Sequence, residues 1–565
     1  MVARSQCASA QITVTPVGNL KLVDNMTVKK VPSTLRIGYR YRPKRLAAQY
    51  DAIVIGSGMG GLTNAALLSE LGWKVCVLEQ HYTAGGYTHS YDRNGYEWDV
   101  GVHYIGDVGT RTRSRRMFDF LSDGKLEWAP MDAEYDRFYV GDKVFSAIAG
   151  KQAFRDNLVA SFPNEAQAID RYLELLAEVS GALSTHSMGR VLKPWQRALG
   201  APLLKWRTPA NMYRNTYEVL SELTDDQDLI AVLCGQWGDM GLPPKRSAFM
   251  VHAMIARHYM YGGYYPIGGS WRIAESIIPK IQKAGGEVFT YAKVNRILIE
   301  DGKVSGVEMD DGHRIECSCV ISSAGIGNTF SGLLPADAIK KAGYESLLET
   351  VKPSMAHLGV YIGLKETAQQ LGLPKTNFWI YPGNDYDAAL DKFLQDKDAP
   401  FPVVYISFPS AKDPDYENRH PGTATIEIVA PAPYAWFEKW QGSTWGKRGD
   451  EYEAFKAELG ERLMQHLYEK LPQLEGKVDY YEVSTPVSTE WFSGYQQGEL
   501  YGLEHTTGRL RQEWLGPRTQ IPGLWLTGQD VLTCGVTGAM MAGMLTTMAM
   551  VGLRKMTPLM KKIYN

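Results

Sequence analysis

One stretch restricts the fold of this chain more than any other: IVIGSGMGGLTNAALLSELGWKVCVLEQH, residues 53 to 81. Apolar β-formers at 52–55 run into Gly56-Ser57-Gly58-Met59-Gly60-Gly61. A helical pattern follows, with Leu62, Ala65, Ala66, Leu68 and Leu71 along it, and Gly72 closes it. A second strand, 74–78, ends at Glu79. A strand, a glycine turn, a helix and a second strand form half of a dinucleotide-binding βαβ unit. Gly56 allows the turn, Gly58 lets backbone approach a pyrophosphate, and Gly61 lets helix and strand pack. The helix start offers free N–H groups and a partial positive charge to that pyrophosphate. Glu79 stands where a carboxylate accepts hydrogen bonds from a ribose diol, and its charge disfavours a ribose phosphate. The motif alone does not separate NAD from FAD.

The rest of the 565 residues implies more than one domain. Strand-like segments recur at 288–290, 294–299, 304–309 and 314–319, a small meander returning to a parallel strand at 320–325. A late strand and turn, Gly523–Asp530, precedes a small-residue helix opened by Gly535-Val536-Thr537-Gly538. The expected organisation is an N-terminal extension (1–47), a discontinuous cofactor domain (48–110, 262–330, 515–565) and a substrate domain built from the insertions 111–261 and 331–514. Residues 111–260 read as helix-rich.

Net charge is −2, with 22% charged and 44% hydrophobic residues, so no basic excess points to nucleic acid. Six scattered cysteines form no CxxC or zinc spacing, and no metal site is expected. Cys317 and Cys319 are read as packing residues. The N-terminus lacks a secretory pattern, and no run of 18 apolar residues occurs. An intracellular protein is expected, cytoplasmic or peripherally bound to a membrane, with a plastid or other organelle address left open. Residues 180–217 carry no acid but hold Arg190, Lys193, Arg197, Lys205, Arg207 and Arg214 with Trp195 and Trp206. That mixture suits a membrane surface, with contact expected through 190–214; a solvated helical hairpin is the alternative. Arg111, Arg113, Arg115 and Arg116 form a second basic group, read as a helix face or phosphate contact.

Several stretches together resemble the retinol saturase family, within the phytoene desaturase and carotenoid isomerase-like FAD flavoproteins. They are VLEQH (77–81), HYIG (103–106), SAFMVHA (247–253), HYMYGGYYP (258–266), FPSAKDP (408–414), PQLEGKV (472–478), YGLEHTTGRL (501–510) and LTGQDVLTCG (526–535). The resemblance runs from about residue 51 to the C-terminal helix. It implies an α/β fold: a Rossmann-type FAD-binding domain of the glutathione reductase/amine oxidase kind with an inserted mixed α+β substrate domain. Two departures stand out. The family's Cys-Cys-His after the glycine pair is Tyr87-Thr88-His89 here, and its Tyr-Pro-Arg-Gly-Gly is Tyr265-Pro266-Ile267-Gly268-Gly269. Both are expected where the chain approaches flavin or substrate.

The resemblance implies FAD, and the residues accommodate it. Gly56, Gly58, Gly60 and Gly61 would hold the pyrophosphate, Glu79 and Gln80 the ribose side, and Val294 backbone near adenine. Gly85 and Gly86 would pass the isoalloxazine. Gly528 and Asp530 would meet the ribityl chain, although Asp530 also suits a helix N-cap. Gly535, Val536, Thr537 and Gly538 would bring N–H groups to the flavin N1–C2=O edge. No second nucleotide loop is evident, so a separate electron donor is expected. The implied reaction saturates one C=C bond of an apolar polyene, a retinoid or carotenoid, by hydride transfer and protonation. Isomerisation or desaturation of a carotenoid or unsaturated fatty acid, and a lipid-escort role without catalysis, are the competing readings. Proton-donor candidates are His103, Tyr264, His252 and Tyr265, with His258 and His505 behind them; Arg509 and Tyr501 are candidate cavity residues.

Overall fold

The computed structural model describes residues 35–206 and 208–565, with side chains at 184, 194, 201 and 203–206 outside that description. Residues 1–34 of the expected extension therefore lie outside the described residues, as do the side chains of Lys205, Trp206 and Arg207.

The first 20 described residues carry an unexpected strand. Tyr39–Arg40 pairs in parallel with Glu287–Thr290 at the edge of a six-stranded sheet. The order continues through Val75–Leu78, Ala52–Ile55, Val320–Ser322 and Leu524–Leu526, all parallel. Strands from the beginning, middle and end of the chain thus share one sheet. Ala52–Ile55 and Val75–Leu78 are buried throughout, as strands covered on both faces must be. The helix Met59–Glu70 starts after Gly58 and stops at Leu71, where Gly72 turns left-handed. It lies along the helix Gly535–Val551, and Asn64 donates to Thr547 Oγ1 at 2.9 Å across the contact. The meander Val294–Glu300, Lys303–Met309 and Arg314–Glu316 forms its own antiparallel sheet, as its alternating sequence predicts. Cys317 and Cys319 sit in the link after it; Cys317 is buried and donates to the Cys319 carbonyl.

The second layer is a seven-stranded sheet. Its order is Val478–Ser484, Ala356–Leu364, Ala424–Ala432, Val404–Ser407, Asn377–Tyr381, Glu134–Val140 and Lys143–Ile148. The last two strands, with Trp128–Pro130, interrupt a segment, 111–260, that is otherwise rich in helix as its sequence predicts. EYDRFYV does not alternate strictly, since Asp136 and Arg137 stand together and Phe138, Tyr139 and Val140 follow in a row, so no period-2 signal marks this strand.

Alternation in this sheet separates two environments. Leu358, Val360, Ile362, Phe378, Ile380, Val404, Ile406, Ile426 and Ile428 face a hydrophobic core closed by the helix Asp450–Lys470 through Leu459, Leu463 and Leu467. Their neighbours His357, Asn377, Trp379, Tyr405, Ser407, Thr425 and Glu427 take the opposite face, toward the helical segments and the parallel sheet. A strand cannot bury one of these sets without presenting the other. Leu463→Ala should therefore cost about 2–5 kcal/mol, read as a lower thermal unfolding midpoint. Dinucleotide affinity at 25 °C should be unchanged, since Leu463 belongs to a different core from the parallel sheet.

Candidate active site

The glycine loop is held by the acid that follows the second strand. Glu79 Oε2 accepts from the Ser57 amide (2.9 Å) and hydroxyl (2.7 Å), and Oε1 accepts from the His81 amide (2.8 Å). The Ser57 Oγ also accepts from Gly85 N at 3.0 Å. Two close approaches gather further segments. A side chain on Gly86 would start 2.9 Å from Gly58 Cα, and one on Gly60 would start 2.6 Å from Gly528 Cα. Loops 56–61 and 85–86 and the turn at 528 are therefore in mutual contact. A side chain on Gly58 would meet no protein atom within 4 Å. Packing does not require glycine there; a ligand passing close to the backbone does. The starts of the helices Met59–Glu70 and Gly535–Val551 carry no acid in their first turns. Near the second, Thr537 Oγ1 is buried without a partner. Val294 opens a strand two residues after Ala292, whose amide binds the Glu79 carbonyl. Gln80 reaches back to Ser493 O. These features fit a bound dinucleotide.

Asp530 is buried, and both its oxygens accept backbone amides: Oδ1 from Leu503 at 2.9 Å, Oδ2 from Ile326 at 2.7 Å. It ties three distant segments beside Gly528 and caps no helix. Arg509 reinforces this joint by donating to the Leu503 and Gln529 carbonyls.

The polar face of the seven-stranded sheet carries a buried network. Glu427 Oε1 accepts from Asp99 N and Oε2 contacts His103 Nδ1, each at 2.7 Å. Asp99 accepts from Ser90 and Ser270 hydroxyls at 2.6 Å, from the Ser270 amide at 3.1 Å, and from the Tyr265 hydroxyl. Lys412, from FPSAKDP, donates to Ser407 Oγ (2.8 Å), the His103 carbonyl (3.0 Å) and Asn377 Oδ1. Asp136 accepts from Asn377 Nδ2 (2.8 Å), Gln236 Nε2 (2.7 Å) and Tyr104 OH (2.9 Å). Burial dominates the electrostatics. It pushes Glu427 up to about 8 and Asp99 up to about 6, and it pulls Lys412 down to about 7. Burial, helped by Lys412, also pulls His103 down to about 3. His103 and Glu427 accordingly favour a hydrogen-bonded neutral pair over an ion pair.

Tyr87, His103, Asp239, Tyr495 and Tyr501 lie deep in the protein yet keep accessible surface, so they border an internal space. The Tyr87 and Tyr495 rings are nearly parallel, 6.5 Å apart, and Tyr87 OH donates to Glu499 O. The residue that departs from the retinol saturase pattern after the glycine pair thus lines this space. Ile267, the other departure, does not: it lines a surface cleft with Lys125, Glu127, Arg272, Asp415 and Arg419.

The sequence-derived acid candidates separate. His103 and Tyr265 belong to one network. Tyr264 turns away, its hydroxyl against Gly109. His252 bonds Tyr172 OH at 3.0 Å within the helical segments, His258 accepts from Gly106 N, and His505 accepts from Cys534 N. Glu427, Lys412, Asp136 and Asp239 were not singled out in the sequence. An acid inside the otherwise apolar strand ATIEIVAPA is the signal for Glu427, whereas Lys412, Asp136 and Asp239 stand among polar or glycine neighbours and carry none.

The acid-free segment changes character in the structure. Arg190 is spent inside, on the Leu515 and Val531 carbonyls, Arg197 pairs with Glu513, and Arg214 with Glu222. Trp195 and Leu199 are exposed. In the second basic group Arg115 pairs with Asp119 and Arg116 bonds Tyr564 O. Among the described residues no helix is long and apolar enough to cross a membrane, and no group of three His, Cys, Asp or Glu could hold a metal.

Fold and cradle together define a dinucleotide-binding oxidoreductase of the amine-oxidase fold. Residues 54–121 match the model of the NAD(P)-binding Rossmann-like domain. A solved putrescine oxidase shares the fold at 15% identity, with a TM-score of 0.58 over 89% of this chain and 99% of that one. The human all-trans-retinol 13,14-reductase is 37% identical over 92% of this chain and 90% of its own length. The chain belongs to that family, the retinol saturases. The chloroplastic prolycopene isomerase of Arabidopsis thaliana is a more distant relative, 25% identical over 92% of this chain.

Glu79→Ala removes three hydrogen bonds that set the glycine loop. It should weaken dinucleotide binding about 10- to 100-fold, measured as cofactor retained after gel filtration, with the fold kept by circular dichroism.

Proposed function

We propose that this protein is an FAD-dependent reductase that saturates one double bond of a retinoid-like polyene. The observation that carries the reading is the meeting of the Gly58–Gly86 and Gly60–Gly528 contacts beside an internal space bordered by Tyr87 and His103. Membership in the all-trans-retinol 13,14-reductase family supports it.

FAD would be held through its pyrophosphate by Gly56–Gly61, through its ribose by Glu79 with Gln80 alongside, and near its adenine by Val294. Gly85 and Gly86 would flank the ring system, Asp530 the ribityl chain, and the helix start Gly535–Gly538 the N1–C2=O edge. Bound there, it supplies the hydride that reduction of a C=C bond requires. The chain's own residues supply shape and polarity. Tyr87 and Tyr495 give flat apolar faces suited to a conjugated chain and exclude water. His103, fixed through Nδ1 by Glu427, leaves Nε2 free to hydrogen-bond the polar end of a substrate. Asp99, Tyr265 and Ser270 hold that pair in place from behind. The electron donor is a separate molecule, and the exposed Trp195 and Leu199 are the surface we assign to membrane contact when the apolar substrate is collected.

Anaerobically reduced protein incubated with all-trans-retinol should yield a product two hydrogens heavier by mass spectrometry. A same-mass geometric isomer would instead establish the isomerase reading that the prolycopene isomerase relationship favours. Unchanged retinol would overturn the retinoid assignment. In the same assay His103→Ala should lower kcat/KM at least about tenfold through loss of one substrate hydrogen bond, while bound flavin stays constant.

A further inference from the structure

Three carboxylic acids meet in the buried polar network, and their hydrogen bonds separate them. Asp99 accepts from the Ser90 and Ser270 hydroxyls at 2.6 Å, from the Ser270 amide at 3.1 Å and from the Tyr265 hydroxyl. Asp136 accepts from Asn377, Gln236 and Tyr104. An ionised carboxylate only accepts, so surroundings made of donors suit the charged form. Glu427 has one definite donor, the Asp99 amide on Oε1 at 2.7 Å. Its Oε2 meets His103 Nδ1 at 2.7 Å, an atom that accepts as readily as it donates. Glu427 is therefore the acid with a place for a proton, on Oε2 and shared with the imidazole.

The other edge of that imidazole is open. The His103 side chain keeps 16% of its surface exposed although it lies deep in the protein. Its Nε2 has neither a hydrogen-bond partner nor protein packed over it. Glu427 on Nδ1, the Tyr405 ring with its centroid 5.2 Å away and Lys412 on the His103 carbonyl hold the residue in place. Two residues earlier, Gly101 packs on Tyr87: a side chain there would start 3.1 Å from Tyr87 Cβ. Tyr87 directly follows the Gly85–Gly86 pair assigned to the flavin ring. The segment that carries His103 is thus laid against the cofactor cradle, and the free nitrogen opens onto the space beside it.

We propose that Glu427 is the proton source of the reduction and that His103 passes its proton on, Nε2–H protonating a carbon of the double bond nearest the substrate's polar end while Nδ1 takes the proton of Glu427. This rests on the function proposed above. An N–H that hydrogen-bonds a terminal hydroxyl also faces the carbons beside it, so one group holds and protonates. The Nε2–H bond breaks as a C–H bond forms, and the Glu427 O–H bond breaks as the Nδ1–H bond forms. The imidazole stays neutral and changes tautomer, and the negative charge ends on Glu427. The other carbon receives the hydride that reduced FAD supplies. After product leaves, water reprotonates Nε2 and the Nδ1 proton returns to Glu427. Burial pushes Glu427 up to about 8 against the lowering effects of the Asp99 amide and the Lys412 charge. An acid of that strength is protonated at neutral pH and still able to give its proton up. Its other neighbours across the sheet, Tyr361 and Ser407, are neutral there, and Asp99, pushed up only to about 6, is charged.

The test uses the flavin-loaded protein, photoreduced without oxygen and mixed with all-trans-retinol in a stopped-flow instrument. Glu427→Gln keeps a group that donates to Nδ1 but has no proton to release. Flavin reoxidation by retinol should slow about 100-fold in it, with the retinol concentration for half-maximal rate unchanged. His103→Gln, which keeps an N–H for the hydroxyl, should slow as much. Flavin content and reoxidation by dioxygen should match the unmodified protein, which separates lost chemistry from misfolding. The donor is the protonated acid, so the unmodified rate should be full at about pH 7 and fall as pH rises through about 8, and Glu427→Gln should lose that fall. Infrared spectra of the oxidised, flavin-loaded protein at about pH 7 should contain a carboxylic-acid C=O band that Glu427→Gln lacks. A slowing of less than about tenfold in Glu427→Gln, or spectra without that difference, overturns the assignment of Glu427 alone. If Glu427→Gln holds no flavin, His103→Gln decides by the same tenfold limit, about one logarithmic unit of rate. An unmodified protein that retinol does not reoxidise overturns the proposed function with it.

Discussion

Glu79 gathers the glycine loop, and much else follows from that contact. Its carboxylate takes both the amide and the hydroxyl of Ser57, and the same hydroxyl receives the amide of Gly85. One side chain at the end of a strand thereby fixes two loops against each other. Gly58 and Gly86 then come into contact, and Gly60 meets Gly528. Hydrogen bonds to a charged acceptor contribute about 1.5–3 kcal/mol each, enough to order a turn that glycine leaves conformationally free. The cradle is set by the protein before any ligand arrives, which lowers the entropy cost of binding.

The second organising constraint is the pleat of the seven-stranded sheet. Isoleucine, leucine and valine at alternate positions demand a dry core on one side. The residues between them, among them His357, Asn377, Tyr405 and Glu427, must then face the interior on the other. The polar floor of the internal space is thus the unavoidable complement of a hydrophobic core. Because that floor is deeply buried, its acids and its lysine lean toward their neutral forms.

The cradle was legible in the sequence because its parts are local. Gly56 to Glu79 lie within one βαβ unit, and each has a backbone reason for its identity. The polar floor was less legible. His103 drew attention from its place soon after the glycine pair, and the structure gives it a partner, Glu427, 324 residues away. Such a partnership is made by strand register, which a single sequence does not display. Lys412 lies within FPSAKDP, but its role depends on Asn377 and Ser407, which converge only in the folded sheet. The strand Tyr39–Arg40 is not legible in the sequence, because two residues carry no periodicity.

The contact between Asn64 and Thr547 spans 483 residues. The helix that opens the cofactor cradle is therefore completed by a segment made long after it. Until then the loop 56–61 lacks Gly528 and the neighbouring helix, and the parallel sheet lacks the strand Leu524–Leu526. Closing so long a loop is slow and exposes apolar strands meanwhile. Cofactor capture then waits on a contact between helices nearly five hundred residues apart, so the order in which segments meet decides when the cradle can fill.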